Sequence, residues 1–219
     1  LDNDGDSDIY VCNGHQSGKS SADYCTTFWR HDIYPNPESS TSGRLLAMNE
    51  ATAPLREGTL SWNGYEHNVL LLNQGSGDYA SIAWLAGSAF EFDARCLALA
   101  DLDQDGRRDL LITDRPLNRP SALYIQKNRW PSPGHWITVR VPDAPGIPGP
   151  GAKVTVSSPS GVQRRWIVNG DSYSSQNPQE AHFGLGSDDR VDWVEVEWPY
   201  GRKKRVQGPA LNAFLTVIP

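Results

Sequence analysis

The sequence predicts an all-β protein in two parts: short β units with acidic loops, followed by a small antiparallel, β-sandwich-like domain. Two acidic loops are each followed by apolar, β-prone residues rather than by an amphipathic helix. The 219 residues include 8 Trp, 20 Gly and 16 Pro, a composition typical of turn-rich β proteins. Beyond residue 134, apolar and polar residues alternate in several short segments. This length fits one or two small domains.

The first element is an acidic loop at residues 1–8, which occurs again at residues 101–109. When the copies are aligned on Gly5 and Gly106, three aspartates of each copy match: Asp2 with Asp103, Asp4 with Asp105 and Asp8 with Asp109. The position that matches Asp101 precedes residue 1, so we expect further chain upstream.

Both loops are predicted to bind calcium. Carboxylates at alternating positions around a glycine turn supply the hard oxygen ligands that Ca²⁺ prefers. Carboxylates this close together repel one another unless a cation neutralises them. The predicted ligands of the second loop are the side chains of Asp101, Asp103, Asp105 and Asp109 with the carbonyl of Arg107. Those of the first loop are the side chains of Asp2, Asp4 and Asp8 with the carbonyl of Asp6.

Two other interpretations of the loops compete with this one. An EF-hand needs a bidentate Glu at its twelfth position, where Val11 and Ile112 stand instead. A solvated acidic turn between strands is the simpler alternative, but two aligned copies favour metal binding over it. The loops are therefore predicted to be structural calcium sites rather than catalytic ones.

The predicted strands of the first part flank these loops. A strand at 9–13 leads into a long polar excursion at 14–58, which has little periodicity and is either functional or partly disordered. Further strands are predicted at 69–72, 79–84, 97–100, 110–113 and 122–125. They amount to one whole β unit and the edges of two neighbours.

The second part follows a predicted linker at 130–134 and reads as a compact antiparallel domain. Its strands are predicted at 135–141, 152–157, 164–168, 191–198 and 214–218. In the fourth of these, Val194, Val196 and Trp198 share one face, which is the better candidate for the core. The basic run 202–205 follows a turn signal and is predicted to be a solvated hairpin end.

Charge and cysteine content limit the function classes. The chain has 26 acidic against 20 basic residues and no basic face, which argues against nucleic acid, and no apolar run suits a membrane span. Cys12 and Cys25 bracket a polar loop and are candidates for a disulfide, whereas Cys96 reads as a buried free thiol. Calcium loops of this type fit extracellular calcium levels, so we expect a secreted, periplasmic or cell-envelope protein.

These motifs resemble a known architecture. The acidic loop between short strands is similar to FG-GAP or VCBS repeats, which build calcium-bearing β-propellers. The tail resembles the ASPIC/UnbV domain that follows such propellers in the cartilage acidic protein-like bacterial family. The segments that carry the resemblance are His135–Val139, Gly151–Val154, Gly170–Gln176, His182–Gly186, Val191–Gly201 and Asn212, with Asn13–His15 and Tyr24–Asp32 upstream.

The resemblance implies blades of a propeller at residues 1–129 and an ASPIC/UnbV-like domain at 130–219. A propeller needs at least four blades, so the others are expected from upstream sequence or from a partner chain, and we expect residues 1–219 alone to be unstable. The segment 146–150 departs from the family pattern because it is rich in Pro. The implied function is a non-catalytic protein-interaction, adhesion or complex-assembly module; no catalytic residues carry over.

The candidate binding surface lies in and beside the excursion, and for it we select Trp29, His31, Trp62 and Tyr65. Such aromatic groups suit a protein contact or a glycan, although ordinary packing is a simpler explanation for them. A carbohydrate-binding module is therefore one alternative function. An accessory subunit of an envelope redox enzyme is another, and it would need His15, Cys25 and His31 to converge on a transition metal.

Overall fold

A computed structural model describes residues 1–14, 53, 65–116, 120–131, 134–170 and 172–219. Within these ranges the chain forms thirteen β-strands in four sheets. The strands are β1 (Ile9–Val11), β2 (Val69–Asn73), β3 (Tyr79–Ser81), β4 (Ala94–Ala100), β5 (Asp109–Asp114), β6 (Ala122–Gln126), β7 (His135–Arg140), β8 (Lys153–Ser158), β9 (Gly161–Trp166), β10 (Glu180–Gly186), β11 (Trp193–Glu197), β12 (Lys203–Gln207) and β13 (Ala213–Thr216). A 3₁₀ turn, Pro199–Gly201, separates β11 from β12.

The N-terminal part consists of two three-stranded antiparallel sheets with the same strand order, β1-β2-β3 and β4-β5-β6. The first acidic loop leads into β1, and the second connects β4 to β5. All six strands predicted for this part are present, with small shifts at their ends. The prediction of a propeller is not confirmed, because these two sheets do not form a closed ring in the described part of the chain.

The C-terminal part, strands β7–β13, is called the β domain below. One sheet has the order β12-β11-β8-β9 and is antiparallel throughout. The other has the order β10-β7-β13, and there β13 runs parallel to β7, with Ala213 opposite Ile137. The prediction of a purely antiparallel domain is wrong at this pair. A parallel pair needs a long crossover, and the five intervening strands supply one.

The core of the β domain lies between its two sheets, because alternate side chains of each strand point inward. β8 contributes Val154 and Val156, and β11 contributes Val194 and Val196, all fully buried. The opposite sheet contributes Ile137, Val139, Ala181, Phe183 and Leu185. The predicted inward face of β11 is confirmed, and it continues into the buried Trp198.

Two strands of the β domain were not predicted. β10 contains two glycines and a histidine, and β12 is the basic run that was assigned to a solvated hairpin end. The run is paired along β11 instead, where Lys203 and Arg205 form ion pairs with Glu197 and Glu195. Cross-strand pairs of opposite charge compensate for the low strand propensity of these residues.

Candidate metal centre

The second acidic loop brings three of its carboxylates together. Asp101, Asp103 and Asp105 each offer one oxygen, and these three oxygens all lie within 4.8 Å of one another. Calcium sits 2.3–2.6 Å from its oxygen ligands, so the oxygens around one ion are separated by at most about 5 Å. The three carboxylates therefore fit one Ca²⁺ ion, and they would hold it between β4 and β5.

Backbone amides of the same loop fix the orientation of these carboxylates. The amides of Asp105 and Gly106 donate to the two oxygens of Asp101, at 3.0 and 2.8 Å. The amide of Arg107 donates to Asp105 Oδ1 at 3.0 Å. The loop is thus held in a turn that needs a left-handed backbone at Gln104 and Gly106, with φ of 61° and 84°. Glycine adopts this conformation without steric cost, which explains its place in the motif.

The fourth predicted carboxylate, Asp109, is engaged differently. It is buried, and its two oxygens accept hydrogen bonds from the amides of Leu102 (3.1 Å) and Asn128 (2.8 Å). Asp109 therefore ties the loop to the segment that follows β6, and the three-carboxylate group does not include it. Its role as a ligand, like that of the Arg107 carbonyl, stays a prediction.

Two cations lie beside the carboxylates. Arg107 donates to Asp105 Oδ2 at 3.1 and 2.6 Å, and the Lys127 ammonium contacts Asp103. Burial acts to raise the pKa of Asp105, but the bonds and charge of Arg107, with the charge of Lys127, outweigh it and lower that pKa below 3.8. Burial raises the pKa of Asp101, and the nearby Asp105 charge adds to the increase. Burial and repulsion thus disfavour the charged form of Asp101, and a divalent cation would offset both effects.

The first acidic loop has the same backbone conformation as the second. Asn3 and Gly5 have φ of 62° and 103°, at the positions that match Gln104 and Gly106. The amide of Asp6 donates to Asp4 Oδ1 at 2.8 Å, as that of Arg107 does to Asp105. Asp8 accepts from the nitrogen of Leu1 and the amide of Asn73, as Asp109 does from Leu102 and Asn128. The two loops are structural duplicates.

The ligands predicted for the first loop are less well assembled. Among the described residues, the second loop alone gathers three acidic groups as closely as a single ion requires. Burial raises the pKa of Asp2, and repulsion from Asp4 and Asp8 contributes to the increase. Calcium at Asp2, Asp4 and Asp8, with the carbonyl of Asp6, stays a prediction.

The β domain packs directly onto both acidic loops. The Asn3 side chain donates to the Gly106 carbonyl (2.9 Å), and its Oδ1 lies 2.8 Å from His182 Nε2. The Trp136 ring covers Gly106 so closely that a Cβ there would lie 1.9 Å from the indole nitrogen. Glu180 adds an ion pair to Arg108, at 3.1 Å.

These contacts determine the protonation of His182. The Asn3 amide nitrogen faces a carbonyl, so its oxygen faces His182 Nε2, which must carry the proton. His182 Nδ1 then accepts from the hydroxyl of Thr138, at 2.8 Å. Burial, together with the charges of Arg108 and Arg165, lowers the pKa of His182 to about 3. The ring is therefore neutral at physiological pH and acts as a hydrogen-bonding bridge.

Most of the candidate binding surface lies outside the described residues. This applies to Trp29, His31 and Trp62, and also to His15 and Cys25 of the redox alternative. Tyr65 is described, and 42% of it is exposed. Cys12 and Cys96 are both half-buried, so Cys96 is less buried than predicted. The Cys12–Cys25 disulfide stays a prediction, because Cys25 falls in the undescribed segment.

Sequence reasoning missed the residues that surround the metal centre. Lys127 and Trp136 lie far along the chain from the carboxylates they approach, and nothing in the loop motif points to them. Asn3 carries a weak signal, because a non-glycine residue in a left-handed conformation is most often Asn or Asp. His182 occurs in a segment singled out only for its family resemblance.

The C-terminal residues are similar to a known domain family. Residues 143–219 match the model of the ASPIC and UnbV family, a stretch that includes β8–β13. Over a longer range the chain is similar to cartilage acidic protein 1. Its sequence is 32% identical over 136 residues to cartilage acidic protein 1 of Xenopus tropicalis. The aligned residues cover 60% of this chain and 21% of the relative.

Two mammalian relatives give the same picture. Cartilage acidic protein 1 of Mus musculus and that of Homo sapiens are each 29% identical over 138 residues, 60% of this chain. The matched parts are 21% and 20% of those proteins. The chain thus spans about a fifth of the length of the curated relatives it matches. Within the described ranges, no helix is long and apolar enough to cross a bilayer.

Proposed function

We propose that the chain is part of an exported calcium-binding protein in which FG-GAP-type propeller blades are joined to an ASPIC/UnbV domain. Its role is non-catalytic: it presents a surface for protein interaction, adhesion or complex assembly. The observation that carries this proposal is the duplicated acidic loop, which in its second copy places three carboxylate oxygens within 4.8 Å. The match of residues 143–219 to ASPIC and UnbV supports the same class of protein.

Calcium in this arrangement would have a structural role, because it would connect the ends of neighbouring strands. The second loop joins the ends of β4 and β5, and Asp109 connects it to the end of β6. An ion bound by Asp101, Asp103 and Asp105 would hold these strand ends in one geometry. The bound ion would also make the loops rigid where the β domain packs against them. A rigid platform lowers the entropic cost of binding a partner, which is the physical basis for an assembly role.

The remaining features of the proposal follow from chemistry and composition. Loops of this kind bind calcium at the millimolar levels outside cells, which supports export. A net charge of −6 supports a partner other than nucleic acid. Further blades would come from chain outside these residues or from a partner protein. A glycan is the second class of partner that the aromatic residues of the excursion would suit.

Calcium titration by isothermal calorimetry tests the proposal. We expect the protein to bind Ca²⁺ and Asp103→Asn to weaken binding by at least about tenfold, since it replaces a carboxylate ligand. Asp189→Asn is the matched control, because Asp189 is exposed and pairs with Arg190 of the β domain. Absence of calcium binding by the unaltered protein, or an equal loss in both variants, would contradict the proposal.

A further inference from the structure

Asn3 occupies an unusual position between three segments of the chain. It belongs to the first acidic loop, yet its side chain is buried against the second loop and the β domain. Its Nδ2 donates to the Gly106 carbonyl at 2.9 Å, and its Oδ1 accepts from His182 Nε2 at 2.8 Å. Its own carbonyl accepts from the Gly186 amide at 2.8 Å. Both polar atoms of the Asn3 side chain are thus directed at other segments.

The contact with Gly106 reaches the metal centre through a single peptide group. The carbonyl of the Gly106–Arg107 peptide accepts from Asn3, and the N–H of the same peptide donates to Asp105 Oδ1, at 3.0 Å. A peptide group is planar, so fixing its carbonyl also fixes the direction of its N–H. Asn3 therefore orients the carboxylate of Asp105 without touching it.

The β domain packs tightly against Asn3 and against Gly106, whose carbonyl Asn3 binds. A Cβ at Gly184 would lie 2.7 Å from Asn3 backbone atoms, and the Gly134 amide donates to the Asp2 carbonyl at 2.7 Å. Trp136 also covers Gly106. Displacement of the β domain would therefore shift Asn3 and the peptide that it holds.

We infer that Asn3 is a positioning residue for calcium at the second loop, and that it couples calcium affinity there to docking of the β domain. This inference rests on the proposed calcium function. Outer-shell partners of metal ligands change metal affinity about 10- to 100-fold when they are mutated. Coupling of this kind is reciprocal, so calcium must also strengthen the contact of the β domain with the loops.

The decisive variant is Asn3→Gly, because glycine keeps the left-handed backbone and removes the amide group. Gln104→Gly is the matched control: it lies at the equivalent position of the second loop, has φ of 61°, and is exposed. We expect Asn3→Gly to weaken calcium binding about tenfold or more by calorimetry, and Gln104→Gly to have a much smaller effect. His182→Gln should retain most of the affinity because its amide can still donate to Asn3, whereas His182→Phe should not.

Hydrogen–deuterium exchange provides a second readout of the coupling. The Gly186 amide donates to the Asn3 carbonyl, so calcium should slow its exchange in the unaltered protein and not in Asn3→Gly. If calcium binds but Asn3→Gly and Gln104→Gly bind it equally well, this inference alone is overturned. If the unaltered protein binds no calcium, the proposed function fails together with the inference. Circular dichroism of each variant checks that a loss of affinity is not a loss of fold.

Discussion

The β domain and the N-terminal sheets are stabilised in different ways. The β domain has a continuous core of fifteen buried apolar residues from both of its sheets. In the N-terminal part the buried apolar residues are few, namely Leu70, Ala83, Ala94 and Ile112 among those described. Several of its strand residues, such as Ile9, Leu123 and Ile125, are largely exposed. We therefore expect the order of these sheets to depend on the acidic loops and on contact with the β domain.

From this difference we infer that the duplicated acidic loop takes over part of the role of a hydrophobic core in the N-terminal sheets. Asp8 and Asp109 each tie a loop to the end of a following strand through backbone amides, at 2.9 and 2.8 Å. Such bonds specify geometry but contribute only about 1–3 kcal/mol each. A bound ion that connects three carboxylates would add the stabilisation that burial does not supply.

The largest effect is expected from the core of the β domain. Trp198→Ala removes a fully buried indole and should lower the free energy of unfolding of this domain by about 3–5 kcal/mol. Trp166→Ala is the matched control, since 58% of Trp166 is exposed, and it should cost about 1 kcal/mol or less. Urea denaturation followed by circular dichroism measures both. Similar losses in the two variants would show that the core is not where the domain derives its stability.

The next largest effect is expected at the contact between the two regions. Gly106→Ala adds a methyl group that would clash with Trp136 in a left-handed backbone, with φ of 84°. Strain and overpacking together should cost about 2–4 kcal/mol. Gly87→Ala isolates the backbone term, because φ there is 64° and no atom lies within 4 Å of the added Cβ. It should cost about 1–2 kcal/mol by the same denaturation assay. An equal cost would mean that Trp136 does not press on the loop.

The smallest effect concerns pH and is confined to the β domain. Burial acts to raise the pKa of Asp188, but hydrogen bonds from Ser158 and Ser160 and the charge of Arg190 lower it below 3.8. Because the folded pKa is depressed, the stabilisation is present above pH 3.8 and disappears as pH falls through the folded value. Asp188→Asn should therefore be less stable than the unaltered protein at pH 6, and the difference should shrink toward pH 2. A difference independent of pH would assign the effect to packing alone.

Much of the fold could be predicted from local patterns, but its long-range pairings could not. Alternation of apolar residues located β7, β8 and β11, and the acidic loops marked the ends of β4 and β5. β12 was not predicted, because a basic run has a low strand propensity of its own. Its strand structure depends on ion pairs with Glu195 and Glu197 of the neighbouring strand β11. The parallel pairing of β13 with β7 likewise depends on residues far apart in sequence.

The same distinction applies to the candidate site. The close approach of Asp101, Asp103 and Asp105 reflects their spacing in one loop, with one oxygen of each within 4.8 Å of the others, and their role as calcium ligands stays a prediction. The contacts of Asn3 with Gly106 and His182 join residues 103 and 179 positions apart, so no local pattern contains them. Ligands that belong to one loop can be recognised in the sequence. The residues that surround and orient them are brought there by tertiary packing and cannot.

Hydrogen–deuterium exchange of the unaltered protein, with calcium and with a chelator, tests whether the second acidic loop is a structural calcium site. We expect calcium to slow exchange in this loop, 101–109, in the strands β4–β6, and at Gly186. We expect no change in the β-domain core strands β8 and β11, whose stability should come from apolar burial rather than from metal. Exchange that is identical with calcium and chelator throughout 101–109 would contradict the claim that this loop is a structural calcium site.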